Sequence, residues 1–165
     1  MRDRFRFMRQ LYTCLYEVSQ NGGTCFDPLF YHFTEDENVY GNYSSTFVYA
    51  NAIKVSPVLE ALQENQTSFK SYFPKGQWVS LSNFASIINS TGDWYDLPAD
   101  QPVAWSHLKP GSLIAYQNLI TAKGQQVMTT TDLLQQPISI LINRDESGFA
   151  QGSLLLDEGI SISEL

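Results

Sequence analysis

Ser68-Phe-Lys-Ser-Tyr-Phe-Pro-Lys-Gly-Gln-Trp-Val-Ser-Leu81 reads as two short β segments, 68–73 and 78–81, on either side of a Pro-Lys-Gly turn. Aromatic and β-branched side chains favour a pleated, half-buried surface, and Pro74 and Gly76 stop both helix and strand between them. The same grammar spreads in both directions. Strand-like segments at 46–49, 52–55, 102–105, 112–116, 137–142 and 152–156 alternate with turn signals at Pro57, Gly92-Asp93, Pro98, Pro110-Gly111 and Asp145-Glu-Ser-Gly148. Regular short strands separated by Pro and Gly turns predict an antiparallel β-sandwich. The apolar arms 138–142 and 152–156 flank a loop, 143–148, that ends in glycine, and are expected to pair as a hairpin.

The N-terminal region differs. Phe5, Met8, Leu11, Tyr12, Leu15 and Val18 recur at three- and four-residue spacing, with Arg6, Gln10, Thr13 and Glu17 on the opposite stripe. This is an amphipathic helix, stopped by Asn21-Gly22-Gly23. With Phe7 and Cys14 added, apolar residues cover most of its circumference, so it expects protein on several sides. Residues 28–33, Pro-Leu-Phe-Tyr-His-Phe, form an apolar run without alternation, the pattern of a strand buried on both faces. Helix, short loop and buried strand make one unit of an α/β barrel, which needs eight.

Composition excludes several function classes. The 165 residues are 43% hydrophobic and 16% charged, which describes a globular chain. Ten basic against 17 acidic residues, a net charge of −7, argue against a nucleic-acid or anionic-membrane partner. No apolar run approaches a membrane span, and the start at Met1, charged but with no apolar stretch behind it, is not expected to act as a signal peptide. Cys14 and Cys25 are too few for a disulfide framework, and Cys14 falls among the apolar helix positions, so a buried free thiol is expected. Three sequons, at Asn42, Asn65 and Asn89, fall in loop-like stretches and permit a secretory or lysosomal route. The compartment stays open.

Few residues carry obvious chemistry. His32 and His107 have no Cys or His at ligand spacing, so no metal or cofactor site is expected. Glu35-Asp36-Glu37 reads as a solvated loop. Asp93, Asp96 and Asp100 surround Trp94 and Tyr95, an arrangement that suits a sugar subsite or, more simply, turn residues beside a core aromatic.

Seven segments, in order, resemble family 31 glycoside hydrolases, the α-glucosidase family. Residues 9–18 (RQLYTCLYEV) resemble its PYLYTLFYEA helix, 25–33 (CFDPLFYHF) its RPLFFEFP strand, and 47–59 (FVYANAIKVSPVL) its FLWGPALLVSPVL. Residues 72–78 (YFPKGQW) are similar to YFPKGRW, 92–99 (GDWYDLPA) to GEWVTLPA, 107–114 (HLKPGSLI) to HLRGGYIL, and 148–161 (GFAQGSLLLDEGIS) to GKASGELFWDDGES. The resemblance implies a (β/α)8 barrel followed by proximal and distal β-sandwiches. Residues 1–45 would be the last helix and strand of the barrel, 46–118 the proximal sandwich, and 119–165 the truncated start of the distal one.

It also implies a retaining hydrolysis of α-glucosides by two aspartates that lie upstream of Met1. No catalytic residue carries over to this chain, which is expected to be inactive alone and to meet an α-glucoside only through a full-length parent. Departures from the family pattern are Asp27 for an arginine, Tyr49-Ala50 for Trp-Gly, and Leu156 at the tryptophan of WDDGES. These departures leave room for a noncatalytic structural or protein-interaction module. A carbohydrate-binding sandwich resting on Trp78, Trp94, Trp105 and the tyrosines is the third reading. Self-association, or a partner chain covering the N-terminal helix, is expected from that helix's apolar surface.

Overall fold

The computed structural model describes residues 2–41, 46–59, 61–99 and 104–156. Two helices open the chain, α1 (Arg2–Arg6) and α2 (Met8–Asn21). There follow β1 (Phe26–Pro28), β2 (Phe47–Tyr49), β3 (Ile53–Ser56), β4 (Ser68–Phe73), β5 (Gly76–Ser80), β6 (Ile87–Ser90) and β7 (Asp93–Pro98). β8 (Trp105–Leu108), β9 (Ser112–Gln117), α3 (Thr130–Leu134) and β10 (Ile138–Asn143) complete the described elements. The protein is mainly β, and its named strands pair antiparallel: six in the order β1-β2-β3-β8-β5-β6, and two pairs, β4–β7 and β9–β10.

The six-stranded sheet is covered on both faces, because adjacent residues of a strand point opposite ways. Trp78 meets Phe73 and Leu97 of β4 and β7, with Trp105 packed beside them. Their neighbours Ile53, Val79 and Leu108 look the other way, onto Phe7 and onto Ile114 of β9, with Tyr116 and Leu141 at the margin. The segment 68–81 therefore does not fold back on itself. Its Pro-Lys-Gly turn carries the chain from one layer to the next: β4 pairs with β7, while β5 pairs with β6 and β8. The Trp78 indole N–H donates to the Pro74 carbonyl at 2.8 Å and ties the crossing.

Several expectations change. Within 28–33 the chain is not a strand: β1 ends at Pro28, and Leu29–Tyr31 wind into a 3-10 turn, with the His32 and Phe33 N–H groups donating to the Leu29 carbonyl. The apolar run plugs a cluster with Val39, Val48 and Tyr72. Residues 152–156 do not pair with β10. The turn at Asp145–Gly148 forms, but β9 lies between its arms, paired with β10 on one side and bridged from Ser112 to Gln151 on the other. Buried Asn143 holds β10 in place, its side-chain amide donating to the carbonyls of Gln77 and Leu108. At Gly152 a Cβ would lie 2.0 Å from the Leu113 carbonyl oxygen, so the second arm can pass only as glycine. Two strands, β6 and β7, lie where turn residues dominated the sequence reading.

Cys14 and Cys25 form a disulfide, so the free thiol is corrected. Gly22 caps α2 with φ +76°, a left-handed conformation that turns the chain back along the last helical turns and brings residue 25 to residue 14. α2 also presents an unexpected face. Gln10 and Thr13 from the polar stripe are buried with Cys14, whereas Tyr12, Leu15 and Tyr16 are 39–49% exposed. Buried polar groups need partners. Thr13 Oγ1 donates to the Arg9 carbonyl and accepts from the Leu155 N–H, while Arg9 Nε donates to Gln117 Oε1.

Candidate functional site

The acids singled out by sequence come first. Asp36 caps a 3-10 turn, accepting from the Asn38 backbone N–H at 3.0 Å, and its other oxygen accepts from the Tyr72 hydroxyl at 2.5 Å. Tyr72 stacks edge-to-face on Trp94 at 5.7 Å between ring centroids. The acidic loop and the Trp94 strand, far apart in sequence, thus meet through Tyr72. Beside them lies an open cleft of about 600 Å³ lined by His32, Asp36, Asn38, Tyr72, Lys75 and Gly92. Trp94 is 41% exposed and so is not a core aromatic. Asp93 and Asp96 lie on exposed positions of β7, while Asp100 falls outside the described residues. Glu35 and Glu37 are exposed. The hydrogen bonds of Asp36 hold the loop.

A second cluster was not foreseen as a cluster. Asp27, the middle residue of β1, accepts through Oδ2 from His32 Nε2 at 3.1 Å, and Lys109 Nζ stands 3.3 Å from His32 Nδ1. An ammonium can only donate, so Nδ1 accepts, Nε2 bears the proton, and the imidazole is neutral between carboxylate and ammonium. Burial first, then the Lys109 charge, lowers the His32 pKa, against the pull of Asp27. Burial likewise lowers Lys109, with Asp27 opposing. The Asp27 carboxylate is therefore faced by the His32 N–H and, beyond the ring, by the Lys109 ammonium. His32 and Lys109 line an open cleft of about 480 Å³ with Gln10, Glu17, Asn51 and Ser112. Sequence spacing hid this trio because Lys109 is 77 residues from His32.

The third cluster is enclosed. Lys54 is 0% exposed, donates to Ser56 Oγ at 2.6 Å and Ser71 Oγ at 2.8 Å, and lies 3.7 Å from the Phe73 ring centre. Its cross-strand neighbour His107 stacks edge-to-face on the same ring, at 4.9 Å. Burial lowers Lys54 well below an ordinary lysine. Burial, with Lys54 second, takes His107 down to about 3. Substrate cannot reach these groups. Among the described residues no set of three or more His, Cys, Asp or Glu is placed to hold a metal ion, and no helix is long and apolar enough to cross a membrane.

Similarity to known proteins converges on one family. The profile described as the glycosyl hydrolase family 31 C-terminal domain matches residues 22–114, more than half of the chain. A probable alpha-glucosidase of Oryza sativa subsp. japonica is 31% identical over 96% of this chain and 17% of its own length. The lysosomal alpha-glucosidase of Rattus norvegicus is 30% identical over 98% of this chain and 18% of its own length. The chain thus spans less than a fifth of these curated relatives. Among solved structures, the glucosidase II alpha subunit superposes with a TM-score of 0.78 over 94% of this chain and 16% of that one, at 17% identity. The GH31 dextranase of Flavobacterium johnsoniae gives 0.67 over 86% and 16%, at 18% identity. These likenesses at low identity concern the fold. Profile, relatives and fold agree, and the chain belongs to glycosyl hydrolase family 31, whose C-terminal β-rich domain it carries.

Proposed function

We propose that this chain is the C-terminal, noncatalytic portion of an α-glucosidase-type enzyme, and that it supports a catalytic barrel carried by preceding sequence. The observation that carries this reading is the extent of the match: nearly all of the chain aligns with less than a fifth of the α-glucosidases it resembles. Residues 1–45 are read as the barrel's margin, 46–118 as the proximal sandwich and 119–165 as the beginning of a distal one. The outward apolar stripe of α2, with Phe26 and Tyr31 beside it at 55% and 61% exposure, supports the reading. Such a stripe is the face a helix ordinarily buries against other elements.

Hydrolysis with retention requires two carboxyl groups about 5–5.5 Å apart across the glycosidic bond. Asp36 is held by its own loop, and Asp27 faces His32, so neither serves as a free nucleophile. The purified chain is therefore expected to release no nitrophenol from α-glucosides. Substituted for the matching segment of a family 31 α-glucosidase, it should permit soluble, active enzyme. Turnover by the chain alone, abolished by changing one of its own acids, overturns the proposal, as does a chimaera that folds without activity. The alternative of an independent interaction module finds no specific support in these features.

A further inference from the structure

We infer that Asn65 is a site of N-linked glycosylation. Two independent features point there. The first is the Cys14–Cys25 disulfide, which uses both cysteines of the chain. Structural disulfides form and persist in oxidising compartments, and the secretory lumen is also where asparagine-linked oligosaccharides are attached. The second is the setting of Asn65-Gln-Thr67. Residues 61–67 are all exposed, and a turn closes from the Gln66 N–H to the Gln63 carbonyl at 3.0 Å. Asn65 has φ +71°, a left-handed conformation that asparagine tolerates better than most residues. Its side-chain amide bonds to no described residue, and the neighbouring turn is closed instead by Gln66, which accepts from the Gln63 N–H and donates to the Ser68 carbonyl. The amide thus has no hydrogen-bond partner among the described residues, on a segment that lines neither of the clefts described above.

The other sequons are placed differently. Asn89 lies within β6 opposite Gln77, its side-chain oxygen accepting from Gln77 Nε2 at 3.3 Å and its carbonyl accepting from the Tyr95 hydroxyl. Asn42 falls outside the described residues. At Asn65 the transfer takes an oligosaccharide from a lipid-linked diphosphate donor. The amide nitrogen forms a bond to the anomeric carbon, the bond from that carbon to the diphosphate oxygen breaks, and the amide loses one proton as the lipid diphosphate leaves. Nothing is oxidised or reduced. Because Asn65 is also a good turn residue, a variant must separate the two roles. Thr67→Ala does so, since it keeps the asparagine and destroys the acceptor tripeptide.

The test is to pass the full chain through the secretory route of a eukaryotic cell and map its peptides by mass before and after peptide N-glycosidase treatment, which leaves aspartate at each glycosylated position. The expected result is a disulfide-bonded product whose residue-65 peptide carries glycan, and loss of that glycan in Thr67→Ala with the disulfide intact. Disulfide-bonded product with bare Asn65 overturns the inference, and so does glycan on Asn89 alone.

Discussion

Acid should destabilise this protein through His107 from about pH 6.5 downward. The imidazole is 2% exposed, lies against the Phe73 ring and has Nδ1 without a hydrogen-bond partner among the described residues, so charging it between the sheets is costly. It titrates at about 3 when folded, against 6.5 in an open chain. Between those values the unfolded chain holds a proton that the folded one does not. Stability contributed by the neutral ring is therefore complete above pH 6.5 and is lost as pH falls towards 3. At about 1.4 kcal/mol per pH unit, the loss reaches roughly 5 kcal/mol, comparable with the whole stability of a small domain. Urea unfolding followed by tryptophan fluorescence, from pH 7 down to 4, should show a steep acid limb. His107→Gln, which cannot charge, should flatten it by about 3 kcal/mol at pH 4, even if it lowers stability at pH 7. His32, also lowered, remains in both proteins, so the difference reports His107. Parallel acid limbs in the two proteins refute the reasoning.

Lys54→Met should cost little at pH 7, because Ser56 and Ser71 stay bonded to each other at 2.8 Å and a buried amine gives way to an apolar chain. It should also remove the rise in stability between pH 7 and 9 that a lysine depressed in the fold confers, which urea midpoints at the two pH values will show. Cys14→Ser with Cys25→Ser opens a ring of 11-residue separation and should lower unfolding free energy by about 2–3 kcal/mol, and an unchanged midpoint would rule that out. Trp78→Ala empties the fully buried centre of the Phe73–Leu97 cluster and should cost about 3–5 kcal/mol in chemical denaturation; a loss below 1 kcal/mol would mean that centre is not packed as described. The isolated chain should self-associate through Tyr12, Leu15 and Tyr16, and Leu15→Lys with Tyr16→Lys should shift sizing towards monomer; a monodisperse wild-type monomer counts against this.

Legibility differed between elements for physical reasons. β4 was read at its observed bounds because Pro74 ends it sharply. β6 and β7 escaped because Asn89, Ser90, Asp93 and Asp96 carry weak strand propensity, and their register with β5 and β4 supplies what local preference lacks. The run 28–33 looked like a buried strand because periodicity shows that a segment is buried but not how it bends. Cys14 looked like a buried thiol because only the reversal at Gly22 reveals that residue 25 returns to it.

Local chemistry in the sequence determined the β class, the helix and its glycine stop, most strand positions and, through ordered motifs, the family. Tertiary structure alone decided which strands share a sheet, which face of α2 is covered, that the cysteines bond, and that Asp27, His32 and Lys109 converge. Propensity and turn chemistry act over a few neighbouring residues. Pairing and side-chain clusters join residues dozens of positions apart, and the packing of the whole chain selects them.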